Sequence, residues 1–140
     1  MKALVEPRRC QHGYTLVELL VVIVVLGVVA AIATLSVTRF IDSGNVEAAN
    51  TELHQAYTAI QLCLFESGGT ELDAPASGWD GSADMVKATG SSGATYDAAT
   101  YLQGHSLKAK YNVGQDGAIT GVSDYSWSNV AWVDDHWEQP

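Results

Sequence analysis

The chain has 140 residues, 47% of them hydrophobic, and a formal net charge of −9 at pH 7. That length allows one small domain plus an appended segment. The acidic balance leaves no basic patch to neutralise phosphates, which argues against nucleic-acid binding.

The chain opens with most of its early positive charge. Lys2, Arg8 and Arg9 precede the longest apolar run, and only Arg39 follows it closely. From Tyr14 to Leu35 the sequence reads YTLVELLVVIVVLGVVAAIATL, with Thr15, Glu18 and Thr34 its clear polar members. As a helix it is roughly 33 Å long, enough for the hydrocarbon core of a bilayer. A buried core helix is the competing reading, but a chain this short cannot easily surround a helix that is apolar on every face. A secretory signal has a shorter apolar core with a small-residue cleavage site after it. Ala30, Ala31 and Ala33 mimic such a site, yet the run continues past them. The basic flank places the N-terminus in the cytoplasm, with the span in the plasma membrane. Cys10 and Cys63 then lie on opposite sides of that span, and no disulfide framework is expected.

Glu18 stands out, because a carboxylate near the start of a span costs several kcal/mol unless it reaches the surface or finds a partner. One reading is a carboxylate at headgroup level, aided by the helix N-terminus. The other is an ion pair with a group created by processing.

The segment Gly13-Tyr14-Thr15-Leu16-Val17-Glu18-Leu19-Leu20, behind a short basic leader, resembles the prepilin motif of type IV pilins and type II secretion pseudopilins. The resemblance covers residues 8 to about 66. It implies cleavage after Gly13 by a membrane prepilin peptidase, which also acts as the methyltransferase on the new amine of Tyr14. It further implies that Glu18 pairs with the N-terminal amine of a neighbouring subunit. Gly27 and Ala31 form a small-xxx-small pair suited to close helix packing, or else reflect ordinary membrane-helix composition. Two features depart from the family pattern. Leu35 stands where many members have a Pro eight residues after the Gly, and no cysteine pair closes a C-terminal loop.

Beyond the apolar run, Val37, Phe40, Ile41, Val46, Ala49, Leu53, Ala56, Tyr57, Ile60 and Leu64 recur at helical spacing. Asn50, Glu52, His54, Gln55 and Gln61 fill much of the remaining surface. Asp42-Ser43-Gly44-Asn45 is a run of poor helix formers where a bend or fraying is expected. Ser67-Gly68-Gly69 stops the helix.

Residues 67 to 95, rich in Gly, Ser, Ala and acid, read as a long surface connection with room for a helical turn near Asp84. Ser106 to Val113 reads as a strand, Gly114 to Gly117 as a turn, and Ala118 to Val122 as the returning strand. Tyr125 to Val133 is expected to supply a third strand. Such a sheet needs the stem stripe to pack against, and strands this short leave little room for a ligand pocket.

The expected fold is therefore α+β, a long N-terminal helix against a small antiparallel sheet head. Its parts are a leader (1–13), a membrane or filament-core helix (14–35), an amphipathic stem (36–66) and a globular head (67–140). Trp127, Trp132 and Trp137 with Tyr125 read as core and edge filling, or as an exposed adhesive or subunit-contact surface. Asp134, Asp135, His136 and Glu138 match no calcium loop and read as a solvated acidic tail. His12, His54 and His105 show no zinc spacing. Cys63 reads as a buried small apolar residue.

No nucleophile elbow, P-loop, C-x-x-C or H-E-x-x-H motif is present, so no enzyme, cofactor or metal is expected. The resemblance implies a homo-oligomeric helical filament, drawn from the membrane by an inner-membrane assembly platform to become an extracellular or envelope-spanning fibre. The alternatives are a pseudopilin of a secretion or DNA-uptake apparatus, and a single-span membrane-anchored binding protein.

Overall fold

A computed structural model describes residues 13–104 and 106–140. Lys2, Arg8, Arg9, Cys10, His12 and His105 lie outside the described residues. The chain divides into two compact units, Met1–Thr38 and Arg39–Pro140. Helix α1 (Leu16–Ser67) contributes to both.

In the first unit α1 carries a stretch long and apolar enough to cross a membrane, with none of it buried. Every large apolar side chain from Leu16 to Leu35 is at least 52% exposed.

In the second unit the remainder of α1 is the wall on which a small head is built. Its inward face carries Ala49, Ala56, Ala59, Ile60, Cys63 and Leu64, all buried. The alanines let the head approach the helix backbone closely, while Ile60 and Leu64 fill the space between. Val46 and Leu53 are partly buried against this core. Phe40, Ile41 and Tyr57, expected on the stripe, are instead exposed. Gly68 ends the helix in the left-handed conformation at φ 66°, its N–H donating to the Phe65 carbonyl at 3.1 Å.

The fraying expected at Asp42 to Asn45 does not occur, and α1 is helical throughout that stretch. Its polar side chains are spent on the head. Asp42 Oδ1 accepts from Asn129 Nδ2 at 2.7 Å, and Asn45 Nδ2 donates to the Ser128 carbonyl at 3.2 Å. Tertiary hydrogen bonds thus offset a low local propensity.

The main sheet has order β1-β4-β5, from β1 (Ala76–Trp79), β4 (Ala109–Val113) and β5 (Ile119–Tyr125), all antiparallel. Along β4, Ala109, Tyr111 and Val113 turn inward while Lys110 is exposed, as a period of two requires. The β4–β5 turn closes with Gly117 N–H donating to the Gly114 carbonyl at 3.0 Å. Gly117 has φ 77°, and an added Cβ would meet Leu64 Cδ1 at 2.7 Å, so the turn lies directly on the stem.

Two expectations are corrected here. Residues 67 to 95 are not a surface connection: they contain β1 and β2 (Lys87–Thr89), begin β3 (Thr95–Asp97), and bury Leu72, Trp79, Val86 and Ala88. Asp84 starts no helical turn, having φ 72°. A 3-10 turn (Ala98–Tyr101) is instead capped by Asp97, whose carboxylate accepts from Ala99 N–H at 3.0 Å. Second, the third strand of the main sheet is β1. Residues 131–133 form β6 (Ala131–Val133), which among the described residues pairs only with β7 (His136–Glu138).

Ile60 is fully buried and Leu53 only partly so. Ile60→Ala should therefore destabilise the head by about 2–5 kcal/mol, and Leu53→Ala by distinctly less. Urea unfolding of the detergent-solubilised chain, followed by tryptophan fluorescence, measures both; equal losses would contradict this core.

Candidate functional site

The segment in which the sequence reading expects the processing and assembly residues is short and open. Gly13 and Tyr14 precede the helix, and Tyr14 is 82% exposed. Thr15 is the N-cap of α1 and Glu18 its third residue. Glu18 N–H donates to Thr15 Oγ1 at 3.2 Å, while Thr15 N–H donates to Glu18 Oε2 at 2.8 Å. The Thr15 hydroxyl also donates to Oε2, at 2.9 Å. This reciprocal arrangement is a capping box, which satisfies backbone donors left free at a helix start. It gives Glu18 a role within its own helix, and the Thr-x-x-Glu spacing that announces it was legible at residues 15–18. Only Oε2 is used in these bonds, leaving Oε1 for another donor.

Gly27 and Ala31 lie one turn apart on α1, and a Cβ built at Gly27 would meet nothing within 4 Å. Their shared face is open to a neighbour.

Other polar residues work where a plain reading saw solvent-facing surface. Glu52 accepts from Lys108 N–H at 2.8 Å, Ala109 N–H at 3.0 Å and the Tyr111 hydroxyl at 3.4 Å. It therefore ties the start of β4 to the stem. Burial, with the Glu52 carboxylate adding to it, raises the Tyr111 pKa and keeps the hydroxyl protonated as a donor. Asn50 acts like a strand edge toward β7. Its Nδ2 donates to the Trp137 carbonyl at 2.9 Å and its Oδ1 accepts Trp137 N–H at 3.0 Å. Their only sequence signal was their place beside the stripe residues Ala49 and Leu53.

Trp137 is buried and Trp132 partly so, stacked edge to face at 5.2 Å; Tyr125 meets Trp137 at 5.0 Å. Core filling is thus the main work of this aromatic group. Trp79, also fully buried, belongs with them. Cys63 is fully buried, and burial pushes its thiol pKa up. Among the described residues no group of three or more His, Cys, Asp or Glu side chains is placed to hold a metal ion. His136 instead bridges the Asp134 carbonyl at 3.1 Å and Glu138 Oε1 at 2.7 Å.

Residues 8–34 match the model of the prokaryotic N-terminal methylation motif. The chain is 32% identical over 116 residues to a type IV major fimbrial protein FimA of Dichelobacter nodosus, covering 80% of this chain and 70% of that protein. The chain belongs to the type IV pilin family. A second FimA of that organism is 34% identical over 88 residues, which is 63% of this chain and 53% of the relative, so that match spans about half the relative's length. The type IV major alpha-pilin of Moraxella bovis is 38% identical over 56 residues, 40% of this chain and 35% of that pilin. No solved structure matches the chain.

The His136 contacts give this pilin head a pH dependence. The Asp134 carbonyl, then the Glu138 carboxylate, raise the His136 pKa above its ordinary 6.5. Because the folded value is the higher one, the added hold is fully present below pH 6.5 and is lost as pH rises through the folded pKa. Hydrogen exchange in β6 and β7 should therefore show slower opening at about pH 5.5 than about pH 8, once corrected for intrinsic exchange rates. His136→Gln should remove the difference.

The Glu52 tie is tested separately. Glu52→Ala leaves two backbone N–H groups without their acceptor, and a loss of about 1–3 kcal/mol in head stability is expected. Thermal unfolding of the variant checks it.

Proposed function

We propose that the chain is a structural subunit of a type IV pilus-like filament, made as a membrane-held prepilin and polymerised from the membrane. The observation that carries this is the exposed apolar stretch of α1, headed by Gly13, Tyr14 and Glu18. A fully buried aliphatic side chain contributes about 1.5–3 kcal/mol relative to exposure in water. A row of them needs first lipid and then other copies of itself. Repeating one head-to-tail contact by a screw operation yields an open helical polymer. The relatives described above are named as fimbrial or pilin proteins, which favours a pilus over a secretion fibre. The role is structural rather than catalytic.

In this reading a prepilin peptidase cuts after Gly13 and methylates Tyr14, and an inner-membrane platform draws mature subunits into the fibre. Glu18 offers its free carboxylate oxygen to the Tyr14 amine of a neighbour. Water is excluded from the assembled core, so opposite charges attract far more strongly there than at a membrane surface. An unpartnered carboxylate in the core is penalised by several kcal/mol, which selects the register that supplies an amine. Gly27 and Ala31 let neighbouring helices approach.

Processing after Gly13 removes Lys2, Glu6, Arg8 and Arg9 and takes the formal charge from −9 to −11. Intact-mass measurement on membrane or filament material should give a methylated Tyr14 terminus. A chain retaining residues 1–13 would sink the processing scheme.

With the variant as the sole copy, Glu18→Ala should leave cleavage largely intact while sharply reducing filament yield against membrane-held subunit. Thr15→Val separates the two roles of Glu18. It breaks the capping box but keeps the carboxylate, so filaments should persist; equal loss from both variants would mean that capping is the whole role.

A further inference from the structure

The second unit begins with side chains that its own core does not use. Phe40 is 80% exposed and Ile41 55%, and Arg39 beside them is exposed too. At 3.6 residues per turn these three point about 100° apart, so they ring three sides of α1. The fourth side belongs to Asp42, whose Oδ1 accepts from Asn129 Nδ2 at 2.7 Å. Asp42 is also the acid one turn on from Arg39, the usual place for an ion-pair partner on a helix. With Asp42 turned to the head, the ion pairs among the described residues leave Arg39 out.

We propose that this collar is a membrane-interface site, seated in the headgroup layer on the head's side of the bilayer, where it takes zwitterionic phospholipid. The inference rests on the membrane-held state proposed above. A bilayer is about 40–45 Å thick around a hydrocarbon core of about 30 Å, which leaves roughly 5–8 Å of headgroup on each side. Leu35 ends the apolar run, and five residues of helix carry Phe40 about 7.5 Å beyond it. The collar thus falls in that layer. Helical side chains tilt toward the N-terminus, here back toward the hydrocarbon, so Phe40 and Ile41 reach the acyl boundary. The Arg39 guanidinium meets lipid phosphate with its paired N–H donors.

Shape and charge decide the occupant. A second copy covers one side of a helix and suits a stripe, whereas lipid surrounds a helix and suits residues exposed on three sides. In a chain of formal net charge −9 the acidic head is repelled by an anionic surface, which favours lipid whose phosphate is balanced by its own ammonium. The loop at Ser128 and Asn129, bonded to the stem at Asn45 and Asp42, is exposed and polar, as a surface facing hydrated headgroups must be.

The test places one nitroxide label at a time in the Cys10→Ser full chain, reconstituted at high dilution in phosphatidylcholine vesicles. Cys63 is buried and stays unlabelled. Labels on Val25→Cys, Ile41→Cys and Thr51→Cys are compared for collision with a water-borne nickel chelate and with oxygen. Position 25 should read hydrocarbon, position 51 water, and position 41 the layer between. Adding Arg39→Gln and Phe40→Ser should raise nickel collision at position 41 about threefold or more, as the interfacial hold is lost. Both side chains are exposed, so the head's melting temperature should not change. A label at 41 as open to nickel as the one at 51, or no response to the added substitutions, would overturn the collar. So would shielding at 41 that disappears on further dilution in lipid, because the occupant is then a second copy. A label at 25 that reads water would instead overturn the membrane-held state, and the collar with it.

Discussion

An apolar stretch of helix that stands in the open, from Leu16 to Leu35, governs the rest of this protein. Water cannot be its working environment, because the transfer cost of so many aliphatic side chains exceeds the few kcal/mol by which a small domain is usually stable. The segment therefore ties the chain to lipid at first and to copies of itself afterwards. The residues that match the N-terminal methylation motif sit at its head, so in the proposed scheme maturation and assembly share one terminus.

The rest of α1 solves a different problem. Its buried face is built largely from small side chains, with Ile60 and Leu64 as the larger wedges. A face of that kind brings a sheet close but contributes modest apolar area. Polar ties add to it: Glu52 holds the start of β4, Asn50 holds Trp137, and Asp42 and Asn45 hold the loop at Ser128 and Asn129. Each satisfies backbone or amide groups at the stem–head contact. Since Cys63 is buried and unpaired, the head is held by packing and hydrogen bonds.

Glu18 shows how the assembly role proposed for one carboxylate is compatible with a role in its own helix. Its bond to Thr15 closes the helix start before any neighbour arrives, using one oxygen. The other oxygen stays available without cost to the cap. This arrangement fixes the side chain's direction, which lowers the entropy lost when a partner is met.

How far the sequence spoke depends on the range of the forces involved. The apolar run, the stem stripe through Ile60 and Leu64, the stop at Gly68 and the Gly114–Gly117 turn all rest on local periodicity or backbone preference, and all were legible residue by residue. The N-terminal methylation motif was legible too, because it is a short linear segment. The strands between residues 76 and 97 were hidden, since Gly, Ser and Asp mask strand propensity until Trp79, Val86 and Ala88 find a core to fill. The pairing of β1 with β4, the helical state of Asp42 to Asn45, and the work of Asn50 and Glu52 were decided only by the tertiary structure. In each case the partner lies tens of residues away in sequence, and a side chain's neighbours across that distance are set by packing, not by its own type.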